Sequence, residues 1–77
     1  MTKLPIADAR TMERVPVHLG FAAVRQKGSH VFYRHADRHT TTVPRHAGRD
    51  LSRPLIRSIL RDIDVSPERY AELLKNV

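Results

Sequence analysis

Apolar residues recur every three or four positions in three stretches of the chain, and between the first two of these they alternate with polar ones. The first stretch runs from Asp8 to Leu19, with Met12, Val15 and Leu19 on one helical face and Asp8 placed to cap it. Pro16 interrupts it. Proline has no backbone donor and its ring presses on the carbonyl four residues back, so the pattern predicts a helix kinked, frayed or broken just before Pro16, with Gly20 as its stop. Phe21 to Lys27 and His30 to His35 then read as two strands joined by a tight Gly28-Ser29 turn. In the second strand Val31, Tyr33 and His35 share one face and His30, Phe32 and Arg34 the other. If Val31 and Tyr33 enter the core, His30 and Arg34 face solvent; the opposite register, with Phe32 inward, is about as apolar. A turn at Ala36-Asp37-Arg38 leads to the β-branched run Thr40-Thr41-Thr42-Val43, a third strand that Pro44 ends.

After a polar loop from Arg45 to Asp50, Ser52 is placed to cap a second helix with Pro54 in its first turn. Leu55, Ile56, Ile59, Leu60 and Ile63 form its apolar face, the best core candidate in the chain, and Arg53, Arg57 and Arg61 stand four apart on the other side. Ser66-Pro67-Glu68 starts a short last helix whose buried side is Tyr70, Leu73, Leu74 and Val77. The expected architecture is α+β: an α-β-β-β-α domain over residues 1–77, with a three-stranded antiparallel sheet packed on helices and a short C-terminal helix.

Composition narrows the partners. A chain of 77 residues buries only about 60% of its unfolded surface. It has no cysteine for disulfides or thiolate zinc ligands, so packing or a partner must stabilise it. No apolar run is long enough to cross a bilayer and the N-terminus has no signal-peptide h-region, which makes a cytoplasmic location and no membrane partner the expectation. The net charge of +6 points to a polyanion. It is concentrated in the middle: between Gly20 and Arg49 six cations (Arg25, Lys27, Arg34, Arg38, Arg45, Arg49) face Asp37 alone, whereas Asp50 to Val77 is neutral.

Several chemistries lack their groups. The three glycines are too far apart for a phosphate-cradling loop, and no paired carboxylates lie near the basic segment. His35 and His39 flank a turn with Asp37, but two imidazoles beside arginine make an incomplete metal site, so no metal or other cofactor is expected. What remains is metal-free cleavage of RNA. There the 2′-hydroxyl attacks the adjacent phosphate, which needs a base for the hydroxyl proton and cations for the developing charge. His30 can be the base and Lys27, Arg25 or Arg34 can supply the charge. A leaving-group acid is not singled out; His35, His46 and Tyr33 are the candidates.

Leu19-Gly20-Phe21, Val24-Arg25-Gln26-Lys27-Gly28-Ser29-His30, Arg34-His35, Thr42-Val43-Pro44-Arg45-His46 and Leu55-Ile56-Arg57-Ser58-Ile59-Leu60-Arg61 together resemble the HicA family of mRNA interferase toxins, over about Leu19 to Leu74. The resemblance implies a fold like the double-stranded-RNA-binding domain, ribosome-independent endoribonuclease cleavage of mRNA that arrests translation, and a cognate HicB antitoxin that covers the active face. It places the family's catalytic histidine on His30 and its conserved glycine on Gly28. The expected RNA- and phosphate-binding set is Arg25, Lys27, Gly28, Ser29, Arg34 and Arg45, and the expected assembly a homodimer or a toxin–antitoxin hetero-oligomer. Family members usually have an apolar residue where this chain has Pro16. A non-catalytic RNA-binding module, a toxin weakened by Pro16, and a structural partner acting through the arginine face of the second helix stay open as alternatives.

Overall fold

The carboxylate of Asp8 accepts the Thr11 amide at 2.8 Å and starts α1 (Ala9–His18). This is a computed structural model, and it describes residues 4–45 and 49–77. Three antiparallel strands follow in the order β1 (Ala22–Lys27), β2 (His30–Arg34), β3 (Thr40–Pro44), then α2 (Arg53–Asp62) and α3 (Pro67–Leu74). The arrangement is the expected α-β-β-β-α with a third short helix. Ser52 and Ser66 cap α2 and α3 through their hydroxyls, and Pro54 and Pro67 sit in first turns, where no intrahelical donor is lost.

Pro16 does not break α1. The helix carries it in its last turn and continues to His18, and the ring is fully buried in the core. The Pro16 carbonyl accepts the amides of Leu19 at 3.0 Å and Phe21 at 2.9 Å, while Gly20, at φ +97°, donates to Val17. This is a Schellman ending, with the left-handed residue at Gly20. The last turn is therefore held from beyond the helix, which offsets the donor that proline lacks. The end of α2 repeats the device. Val65 donates to Leu60 and Asp64 to Arg61, but here the left-handed residue is Asp64, at φ +58°.

All the helices lie on one side of the sheet. Val31, Tyr33, Thr41 and Val43 point toward them and are buried, so the register that sends His30 and Arg34 outward is the one observed. Met12 and Val15 of α1, Ile56, Ile59, Leu60 and Ile63 with α2, and Tyr70 and Leu73 of α3 complete one hydrophobic cluster. Both α1 and α2 pack against β3, whereas β1 is exposed along its whole length. The N-terminal segment is tied down by the Tyr70 hydroxyl, which donates to the Pro5 carbonyl at 3.0 Å, and by Arg53 Nε, which donates to Leu4.

Candidate functional site

The β1–β2 turn is built around glycine. Lys27 and His30 are the last paired rung, Gly28 takes the first central position at φ +58°, and Ser29 follows at negative φ, the order a type II′ hairpin requires. A Cβ at Gly28 would meet nothing within 4 Å, so glycine is needed for its backbone conformation and the turn is open to solvent. Gln26 Nε2 donates to the Gly28 carbonyl at 3.1 Å, and the Arg45 amide donates to the Ser29 carbonyl, which fastens the turn to both neighbouring strands.

The turn decides which cations share the face of His30. Counting back from it, Lys27 stands opposite His30 and Arg25 opposite Phe32; between Ala23 and Arg25 the register then slips by one residue and leaves Val24 unpaired. In a regular ladder Val24 would oppose Tyr33 and point to the helix side. Residues on one rung share a face, so Arg25, Lys27, His30, Phe32 and Arg34 all stand on the open face of the sheet. The Arg25 guanidinium lies over the Phe32 ring, 4.8 Å from its centroid. The His30 ring is exposed, and neither of its nitrogens is hydrogen-bonded to another described residue.

The expected residues divide between the two sides of the sheet. Lys27, Gly28 and Ser29 adjoin His30 and Arg25 stands one pair of rungs away, whereas Arg34 shares the face at the other end of β2, about 13 Å along the strand. Arg45 does not, because its side chain turns to the helix side and Nε donates to Glu13 Oε1 at 2.6 Å. That carboxylate, together with the Tyr33 hydroxyl, holds the Arg45 guanidinium above its ordinary pKa. Among the acid candidates, Tyr33 is buried on the helix side, and burial and the nearby Glu13 push its phenol pKa up. His35 lies at the far end of β2, about 16 Å along the strand from His30. Its ring packs on Phe21 at 5.0 Å and its Nδ1 is 3.0 Å from Asp37. His46 lies outside the described residues.

Asp37 is also the partner of His39, whose amide and Nδ1 reach the same carboxylate oxygen at 3.0 and 2.8 Å. The hydrogen bonds from His39, backbone first, bring the Asp37 pKa down to about 2. Among the described residues no group of three histidine, aspartate or glutamate side chains is arranged to hold a metal ion.

On its other side the His30 face runs into a cleft of about 590 Å³ between β3 and α2. Thr42, Leu55, Ser58, Asp62 and Arg49 line it together with His30. The cleft escapes a reading by chain segments because α2 contributes Leu55 and Ile59 from its apolar face together with Ser58 and Asp62 beside it. The signal present was Ser58 and Asp62, four apart and next to the apolar face.

A small α+β domain whose open sheet face carries an exposed histidine, three cations and a glycine turn presents a surface suited to a polyanion. A family profile described as HicA toxin of bacterial toxin–antitoxin matches residues 9–65 of the 77, from the first residue of α1 to just past α2, and a search of curated proteins returns no match. The chain belongs to the HicA family of toxins, which brings with it an antitoxin partner. No helix among the described residues is long and apolar enough to cross a membrane.

Proposed function

We propose that this chain is a metal-independent endoribonuclease that cleaves mRNA and so arrests translation in the cytoplasm, restrained by a cognate HicB-type antitoxin that covers the His30 face. The observation that carries this reading is the exposed His30 ring on a sheet face shared with Arg25, Lys27 and Arg34. His30 takes the proton of a 2′-hydroxyl, the oxygen closes on the adjacent phosphorus, and the bond to the 5′-oxygen breaks, giving a 2′,3′-cyclic phosphate and a free 5′-hydroxyl. Lys27 and Arg25 hold the charge that builds on the phosphoryl oxygens, helped by the open Gly28-Ser29 turn, and Arg34, about 13 Å along β2, holds a neighbouring phosphate of the same strand. With Tyr33 and His35 turned away from this face, the leaving oxygen takes its proton from solvent.

His30→Ala abolishes cleavage of labelled RNA and growth arrest while circular dichroism and antitoxin binding stay as in the parent. Undiminished cleavage removes His30 from the mechanism. Activity persists in EDTA, and its loss on chelation would instead require a metal.

A second reading, an RNA-binding module or a toxin that has lost its catalysis, is favoured by the placement of Tyr33 and His35 on the wrong side of the sheet for proton donation. Incubation of the purified protein with RNA separates the two: fragments mark the nuclease, a shifted band of intact RNA marks the binder.

A further inference from the structure

We propose that the cleft between β3 and α2 is a base pocket for guanine, read by Asp62, and that it seats one nucleotide of the RNA beside the phosphate held at His30; this rests on the nuclease reading for its place in the reaction, but not for its ligand. Three observations converge. The cleft is continuous with the catalytic face, because His30 is part of its wall. Its lining differs in kind: Leu55 and the buried Ile59 offer an apolar surface for the flat of a base, and the exposed Arg49 adds a cation for a phosphate. Its key polar group is held in place. The buried Thr41 hydroxyl donates to Asp62 Oδ2 at 3.1 Å, which orients the carboxylate at the end of α2.

The chemistry of that carboxylate selects the base. An ionised carboxylate only accepts hydrogen bonds, through two oxygens with about four lone-pair positions, so after the bond from Thr41 both oxygens retain capacity. Guanine alone among the four bases presents two adjacent donors on its Watson–Crick edge, the N1 and N2 hydrogens. Adenine and cytosine each set one amino group beside a ring acceptor, and the N3 hydrogen of uracil lies between two carbonyls. A carboxylate facing any of these three meets a lone pair. Ser58, one turn back on α2, can donate or accept and therefore tolerates all four; of the two carboxylates in the lining, Asp62 and Asp50, Asp62 is the one oriented by a bond from Thr41, and the discrimination is assigned to it.

The test uses the intact protein and does not depend on cleavage. Guanosine, adenosine, cytidine and uridine monophosphates are titrated into labelled protein and followed by amide chemical shifts. Guanosine monophosphate is expected to move the amides of Leu55, Ser58 and Asp62 and to bind roughly tenfold more tightly than the other three. In Asp62→Asn that margin disappears while the spectrum elsewhere is unchanged, and Ser58→Ala retains it. A single-stranded RNA with one guanine displaces the mononucleotide, and the same RNA with adenine in its place does so roughly tenfold less well. Equal binding of all four nucleotides, no shift on α2, or an Asp62→Asn variant with the parental preference overturns the proposal. Displacement that ignores the base would make this a site for a free nucleotide and overturn it as well. Guanine binding with no RNA fragments in the separate cleavage assay sinks the nuclease reading and leaves the pocket standing.

Discussion

Arg45 Nε meets Glu13 Oε1 at 2.6 Å and so staples the end of β3 to α1, on the opposite side of the sheet from His30. A cation engaged in this way has little left to offer a phosphate. Binding of single-stranded RNA through three to five phosphates has a log–log salt slope of roughly −2 to −3.5. Truncating Arg25, Lys27 or Arg34 to Ala lessens that slope by about 0.7 each. Arg45→Ala leaves the slope as it is and lowers the melting temperature instead. A salt titration of each variant, read beside its melting curve, checks the division.

Asp37 makes the β2–β3 turn sensitive to acid. Its pKa is about 2 in the folded chain against an ordinary 3.8, so the unfolded chain takes up this proton first as pH falls. The stabilisation from its bonds to His39 is complete above the ordinary value and is lost as pH drops from about 4 through 2. The expected result is that the parent is more stable than Asp37→Asn at pH 6 and that the two melting temperatures converge toward pH 2. Carboxyl-carbon titration gives the pKa directly.

Asp64 sits at φ +58°, where a side chain of L configuration is strained by about 1–2 kcal/mol and glycine is not. Glycine gives back part of this through its greater freedom when unfolded, about 0.5–1 kcal/mol. Asp64→Gly therefore stabilises by roughly 0.5–1 kcal/mol, a rise of a few degrees in melting temperature for a domain of this length. Denaturant titration with an unchanged slope is the check.

The Tyr70 hydroxyl joins α3 to the Pro5 carbonyl, 65 positions away in the chain. In Tyr70→Phe the ring keeps its place in the core while the carbonyl loses its donor, at a cost of about 1 kcal/mol. That lowers the melting temperature by about 4–8 °C and speeds amide exchange along the N-terminal segment. The cleavage assay is unaffected, since nothing on the open face changes.

Much of this was legible in the residues. Ser52 and Ser66 as caps, the Gly28-Ser29 turn and the apolar face of α2 are local signals, and each stands where its chemistry directs. The alternation in β2 assigned His30 to solvent for the same reason. Pro16 departs from its local expectation because its missing donor is a local fact, whereas the Schellman bonds and the buried site for its ring are supplied by residues beyond the helix. Arg45 is near the other cations in sequence, and only the packing of α1 brings Glu13 within its reach. The bulge at Val24 has no composition signature, yet without it Val24 would oppose Tyr33 on the helix side. The cleft joins residues from β2, β3 and α2, so no single stretch of the chain displays it.

The bare strand β1 has one further consequence. It ends the sheet with unpaired main-chain groups and, among the described residues, every side chain exposed, the kind of margin on which a second copy would zip into a continuous ribbon. The kink at Val24 breaks the straight run such a ribbon needs, and Arg25 and Lys27 would set like charges against like. The side chains proposed to grip RNA thus also work against self-aggregation of the unaccompanied molecule.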